Sequence, residues 1–431
     1  MNYDVVIIGA GVIGCSIALS LSRAGLSTLN IDGNRAPGYG STSHSSAIIR
    51  PFYSHITSCA VAHESRHRWL AWENHVGRND PSGLALYSET GGTVLVSSTD
   101  PNQFSQNLSV LEEVGITHEW LDSKALLQRH PGLSLDKFGP PKLLSDPTFA
   151  EVTPGTIIGG IHIPACGHVS DPQLATHNLF VAAKAAGAEF RFGHKVVAAM
   201  YETTTSNRLV GVTLDDAMQL HAQCIVNAAG PHSAQINTII NASGVGGIQT
   251  RPHRHEVAYL KATKDMQTHP GFLVDLDAGV YLRQDGADLL IGSADPECDK
   301  ADIVGPDTYN ESFTEQWTTQ AYRAAQRIPA LGIESKARGT VGLYDVSDDW
   351  IPIYDKTDTP GYYVAIGTSG NQFKNAPLVG DIMCAIIGQE LNGLDHDEQP
   401  AKLHLTELNR QIDLSFYSRR RSVQTTGNVL A

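Results

Sequence analysis

Residues 9–14, GAGVIG, set three glycines at GxGxxG spacing, directly after the apolar run YDVVIIG and ahead of VIGCSIALSLSRAG. Gly9 permits a tight turn, Gly11 lets a pyrophosphate approach the backbone, and Gly14 lets helix and strand pack closely. The N–H groups at the helix start, those of Val12 and Ile13 among them, suit a phosphate, and Asp32 at the end of the next strand can accept from ribose hydroxyls. The chemistry is dinucleotide binding, which NAD and FAD share. A second stretch, GYGSTSHSSAIIRPFYSH at 38–55, mixes small hydroxyl side chains with His44 and runs through two isoleucines into Arg50. By composition it is a loop.

Both stretches need a scaffold. YDVVIIG is a continuous Val/Ile-rich run, the pattern of a parallel strand covered on both faces. The following helix stops at Gly25, and LSTLNID reads as the second strand. The spacing predicts a helix from about Pro172 to Ala186, a buried strand in LHAQCIVNAAG, and a strand, Gly turn and helix in GYYVAIGTSGNQFKNAPLVGDIMCAIIGQ. These are pieces of one doubly wound layer. Between them, RPHRHEVAYLKAT and GFLVDLDAGVYLRQDGADLLIGSADP are rich in β-branched and aromatic residues, which predicts an antiparallel sheet forming a second domain.

A chain of 431 residues, 41% hydrophobic, can bury a large core in more than one domain. Its net charge of -14 and pI near 5.6 exclude broad attraction to nucleic acid or anionic lipid. No apolar run reaches the length of a membrane span, and the start of the sequence lacks a signal-peptide pattern, so the expectation is a cytoplasmic protein. Six scattered cysteines without CxxC spacing fit reduced thiols and predict no metal site. The basic run Arg419 to Arg421 reads as part of a solvated tail.

Five separated motifs, in order, carry a resemblance: GSTSHSSAIIR after the first strand, helix and strand; NAAGPHS; GVYLRQDGADLLIGSADP; GLYDVSDDWIPI; and GTSGNQFKNAP. The chain resembles the D-amino acid oxidase and sarcosine oxidase superfamily of FAD enzymes over about residues 3 to 390. Locally it is similar to the D-arginine dehydrogenase and dimethylglycine dehydrogenase branches. The resemblance implies an α/β protein whose Rossmann-like FAD-binding domain (1–85, 150–235 and 335–395) interleaves with a substrate domain on an antiparallel sheet (86–149 and 236–334). Residues 396–431 are expected to form a C-terminal helical tail.

It also implies flavin contacts by Ser41, Thr42, His44, Ser45 and Ser46, by Val196, by Ala229 and Gly230 of NAAGPHS, by Gly342, and by the turn Gly370, Asn371, Gln372, Phe373 and Lys374 ahead of a helix starting near Ala376. The implied chemistry is hydride transfer from the carbon beside an amine, giving an imine that water hydrolyses. Lys374 matches the family lysine, and Arg50 the family arginine, that together hold a substrate carboxylate. Tyr53, Tyr281 and Arg283 are further pocket candidates, and His253 and His255 either face the substrate or are hydrogen-bonded histidines of the sheet. His44 falls where the dimethylglycine dehydrogenase branch carries a histidine bonded to the flavin, but Ser43 replaces the preceding tryptophan. Gly342 replaces the cysteine that links to flavin in monomeric sarcosine oxidases, and no lysine stands between Lys264 and Lys300 to match their oxygen-activating residue. The expected partners are a small amine or amino acid and an electron acceptor, either oxygen or another. Oxidation of a 2-hydroxy acid and a dinucleotide-binding protein without turnover are the alternatives.

Overall fold

The computed structural model describes residues 2–77, 80–202, 207–242, 247–268 and 271–424. The first strand, Asn2–Ile8, lies between Thr28–Asp32 and Gln219–Asn227, parallel to both. Alternation along it sends Val5 and Ile7 into the core beneath the first helix, and Val6 and Ile8 into a second core on the opposite face. A strand buried from both sides has no polar face to display, hence its unbroken apolar run. Among the described residues this sheet has eight strands: Glu189–Phe192 extends it beyond Thr28–Asp32, Tyr362–Ile366 joins Gln219–Asn227 in parallel, and antiparallel neighbours complete it.

Three helices, Val12–Arg23, Pro172–Ala185 and Ala376–Leu391, share the core beneath one face. The first and last cross closely. A side-chain carbon at Gly380 would stand 2.3 Å from the Ser16 carbonyl oxygen. Ser16 Oγ donates to the Ala376 carbonyl at 2.5 Å and accepts from Gly380 N at 3.2 Å, while Ser20 Oγ donates to Asp381 Oδ1 at 2.7 Å. The N-termini of two helices some 360 residues apart in sequence are thereby fixed side by side.

Among the described residues the second sheet has nine strands, antiparallel except where Phe272–Asp275 meets Gly92–Ser97. Its long members are Thr250–Lys261, Gly339–Ser347 and Thr153–Ile163. Two of these correct the sequence reading. Thr153–Ile163 and Gly339–Ser347 pair within this sheet, whereas the sequence reading places 150–235 and 335–395 wholly in the dinucleotide unit. Conversely Ile236, Ile240 and Ile248, expected in the substrate domain, pack in the core of the first sheet. Chain crossings between sheets occur inside apolar runs, where composition does not change. A short three-stranded sheet, with Ile48–Ile49 on one edge, carries the chain into Arg50.

The C-terminal segment is not helical. Lys402–Leu405 and Arg410–Asp413 form a hairpin, followed by a single 3-10 turn at Leu414–Tyr417; residues 425–431 of the expected tail lie outside the described ones. Nor is the basic run solvated. Arg419 is fully buried between Asp355, Asp358 and Asp397, and Arg421 pairs with buried Asp349 at 2.8 Å. Only Arg420 is largely exposed. Four carboxylates, three of them within residues 349–358 and the fourth Asp397, neutralise the run, a pairing that local sequence does not reveal.

Gly380→Ala is expected to force the helices apart against backbone atoms. The chain should lose about 1–3 kcal/mol of stability in denaturant titration, the usual cost of overpacking.

Candidate active site

One cavity of about 690 Å³ runs between the two sheets, from Asp32 and Val196 at one end, past Gly9, Gly11, Val12 and Ile13, to Tyr281 and Lys374 at the other. Ser41, Thr42, His44, Ser45 and Ser46 form one wall, and Ala229, Gly230 and the turn from Gly370 to Lys374 form others. Arg50 also lines it. Gly14, Tyr53, His253, His255, Arg283 and Gly342 are not on its wall.

At the glycine turn, Gly9 adopts φ +117, and a side-chain carbon at Gly14 would stand 2.2 Å from the Gly9 carbonyl oxygen. Gly14 is thus a packing glycine, as its spacing implies. Asn30 holds the turn from below, its Nδ2 donating to the carbonyls of Gly9 and Gly14 at 3.0 and 3.1 Å. Sequence reasoning missed this residue, although an asparagine inside a buried strand signals a bound backbone. Asp32 accepts from Ala10 N and Asn34 N, each at 2.7 Å, and still faces the cavity with lone pairs to spare. Thr42 Oγ1 accepts from Val12 N at 3.2 Å, tying the hydroxyl-rich segment to the helix N-terminus.

At the far end, His44 Nδ1 is hydrogen-bonded to Thr340 Oγ1 at 2.5 Å. A side-chain carbon at Gly342 would come within 2.7 Å of His44 Cβ, so Gly342 supports the histidine from behind. Tyr281 shares a hydrogen bond with Ser46 at 3.0 Å, and its ring occupies the space that a side chain at Gly292 would need. Tyr281 and Tyr344 are hydrogen-bonded through their phenols, and Tyr344 lies under Gly370.

Lys374 is buried. Its Nζ donates to Tyr53 Oη at 2.9 Å and to the Asn371 carbonyl, both neutral partners. Burial, and then the charge of Arg50, hold its ammonium well below the ordinary lysine range. Arg50 lies over the Tyr53 ring at 4.7 Å, with Lys374 Nζ 5.5 Å from the same ring, and Arg50 Nη1 donates to the Phe52 carbonyl at 2.6 Å. Tyr53 therefore sits between the two cations rather than on the cavity wall. Gln372 accepts from Tyr354 Oη at 3.1 Å and from Asn375 Nδ2 at 2.8 Å, which fixes the turn ahead of the helix at Ala376.

The expectation that His255 and His253 face the cavity is corrected. His255 stacks behind Tyr344 at 4.1 Å, with His253 on its outer side at 6.4 Å. His255 Nδ1 lies 3.7 Å from Asp295 Oδ1, and His255 Nε2 and Asp295 Oδ2 are sealed without hydrogen bonds. Burial, then Asp299, push the Asp295 carboxyl up to about 7, while burial takes His255 down to about 4. Asp295 also sits at φ +52, a costly conformation for a residue other than glycine. Elsewhere among the described residues, His194, Asp215 and Asp216 stand close enough to chelate a cation, but at the surface and with Arg191 on Asp216 at 2.6 Å.

Residues 4–386 match the model of the FAD dependent oxidoreductase family, DAO. One component of the opine oxidase of Agrobacterium tumefaciens (strain Ach5) is 25% identical, the alignment covering 86% of this chain and 89% of the relative. The monomeric sarcosine oxidase of Bacillus sp. (strain NS-129) is 22% identical over 89% and 92%. Among solved structures, L-proline dehydrogenase from P. horikoshii superposes with a TM-score of 0.75 at 22% identity over 97% of both chains. The FAD-bound L-alpha-glycerophosphate oxidase of Mycoplasma pneumoniae gives 0.72 at 15% identity, over 90% of this chain and 95% of that one.

The cavity fits FAD. It is lined by bare glycine backbone at a helix N-terminus, and a side-chain carbon at Gly11 would stand 3.3 Å from Thr42 Oγ1, a tight contact in the space beside the turn. Gly11→Val should therefore purify with far less flavin than the parent, read from absorbance after chromatography; equal flavin content would misplace the pyrophosphate.

The Asp295 carboxyl predicts a pH dependence. With its folded pKa raised, the folded chain holds a proton that the unfolded chain releases, so this group's contribution to stability falls as pH rises from about 4 to about 7. Asp345, buried and likewise pushed up to about 7, adds the same slope. Denaturant midpoints measured across this range should fall less steeply for Asp295→Asn than for the parent.

Proposed function

The chain belongs to the FAD-dependent oxidoreductase (DAO) family, and from that footing we propose that it oxidises the C–N bond of a small amine bearing a carboxylate: an N-methyl, secondary or D-amino acid. The observation that carries this reading is the buried pair of Arg50 and Lys374 around Tyr53. Two cations beside one cavity, the lysine bonded only to neutral groups, form a seat for an anion. Arg50 brings a planar fork and Lys374 a point charge, which together suit one carboxylate.

The same pair acts on the other end of the substrate. A positive environment of low dielectric disfavours a substrate ammonium, so the bound amine is biased toward its neutral form, with the lone pair needed for oxidation. FAD supplies the hydride acceptor. Ser46, Tyr281 and His44 form neutral hydrogen-bonding walls around the reacting carbon, and the backbone of Gly370 to Gln372 with the helix at Ala376 offers partial positive charge to the reduced cofactor. The names of the relatives, oxidases of opines and of sarcosine, support an amine substrate. Oxygen or another acceptor takes the electrons afterwards.

Anaerobic bleaching of the flavin against a panel of N-methyl, secondary and D-amino acids and 2-hydroxy acids tests the reading, and admitting air then reports oxygen reactivity. Lys374→Met and Arg50→Met should each weaken saturation by roughly 2–5 kcal/mol, the range for leaving one buried partner unmatched, with flavin content little changed. Bleaching only by hydroxy acids, or by none of the panel, would overturn it.

A further inference from the structure

The second sheet closes the cavity with an apolar wall. Its strands Phe272–Asp275, Val280–Asp285 and Gly339–Ser347 bring Phe272, Val274, Tyr281, Leu343 and Tyr344 to the cavity, and among the described residues of these strands that line it none is charged. Phe272 and Val274 are two apart on one strand, and Val274 stands directly opposite Tyr281 on the next, so the three side chains share one face. Ile48, two residues before Arg50, lines the same cavity.

Two glycines shape this floor. Phe272 is paired with Gly92 on one flanking strand, and Tyr281 with Gly292 on the strand Asp288–Ser293. A side-chain carbon at Gly92 would stand 2.2 Å from Phe272 Cε1, and one at Gly292 would stand 2.2 Å from Tyr281 Cζ. Each ring therefore lies over a neighbouring backbone that carries no side chain, whereas side chains on a sheet ordinarily stand upright. The space above the rings is left to the cavity that both of them line. The Tyr281 hydroxyl is engaged by Ser46 at 3.0 Å, and Phe272 and Val274 offer only carbon.

The floor adjoins the carboxylate seat. Tyr53, between Arg50 and Lys374, packs in one apolar cluster with Phe272 and Val274, and Ile48 and Tyr281 pack against that cluster. A substrate held by its carboxylate at Arg50 and Lys374 thus has its next carbon beside a surface that welcomes hydrocarbon and offers nothing to a second charge. Resting on the amine-oxidation reading above, we propose that the substrate carries an apolar side chain on the carbon beside its carboxylate, that this side chain lies on Phe272 and Val274, and that Gly92 makes room for it by keeping the Phe272 ring down. The substrate is then an N-methyl, secondary or D-amino acid with a leucine-like side chain. Glycine derivatives leave the floor bare.

The test uses the purified flavin-loaded protein and unreactive carboxylates that are amino-acid skeletons without the nitrogen: acetate for glycine, 4-methylpentanoate for leucine, glutarate for glutamate and 6-aminohexanoate for lysine. Titration followed by flavin absorbance should show 4-methylpentanoate binding about thirtyfold tighter than acetate, the effect of burying one leucine side chain, with the two charged probes no tighter than acetate. Gly92→Ala should lift the Phe272 ring into that space and erase most of the preference, with acetate binding and flavin content as in the parent. Val274→Thr, which keeps the shape and adds a hydroxyl, should cut the preference about threefold. Equal binding of acetate and 4-methylpentanoate by the parent, as when the flavin ring itself covers the floor, overturns the proposal, and so does tighter binding of either charged probe. A preference left whole in Val274→Thr overturns it as well, whether or not Gly92→Ala folds. In bleaching, N-methylleucine or D-leucine should saturate at lower concentration than sarcosine. If the probe preference holds but no amine bleaches the flavin, the oxidation reading fails and takes the proposed substrate with it, while bleaching by sarcosine with equal probe binding leaves oxidation standing without the apolar seat.

Discussion

The site depends on one helix crossing. Because Gly380 carries no side chain, the helix Ala376–Leu391 can rest on the backbone of Val12–Arg23 at Ser16, and the serine hydroxyl then bonds both ways across the contact. Each helix begins with a turn that faces the cavity: Gly9 to Gly14 for the first, Gly370 to Asn375 for the last. The distance between the two helix N-termini that border the cavity is held by this contact.

The second constraint is electrostatic. Burying Lys374 beside Arg50 costs the folded chain solvation that the neutral Tyr53 and the Asn371 carbonyl return only in part. Such an arrangement persists because the surrounding core holds it: Trp69 donates to the Lys374 carbonyl at 2.8 Å and stacks on Phe373 at 5.3 Å. Packing thus holds the backbone around the buried charge.

What can be read from the sequence follows from range. The glycine turn, its flanking strand and helix, and Asp32 are local, and their roles rest on backbone geometry that glycine spacing reports directly. The hydroxyl segment and the late turn are legible through motif order, and the cavity does gather them. What escapes are groups defined by partners far away in the chain: Asn30 under the turn, Thr340 on His44, Asp295 behind Tyr344, and the arginines at 419 and 421 against aspartates of 349–358 and Asp397. His255 misleads for a related reason. Its strand is plain in the sequence, but the face it presents is decided by Tyr344, which covers it from the cavity side. The expectation of a helical tail fails because short charged segments carry little periodic signal, whereas a hairpin over Glu64, which accepts from Glu407 N at 3.1 Å, is a tertiary arrangement.

The buried arginine strap at 419–421 bears on the order of synthesis. Arg421 holds Asp349 and the Ile351 carbonyl, next to the Trp350 carbonyl that receives Asn371 Nδ2, and Tyr417 packs on Tyr354, whose hydroxyl fixes Gln372. A ribosome that has released roughly the first two-thirds of the chain has made the glycine turn and Tyr281 but not the turn from Gly370 to Lys374. The supports that Tyr417 and Arg421 give the late turn therefore form only after the turn itself has been made, so its final shape waits on chain that follows it.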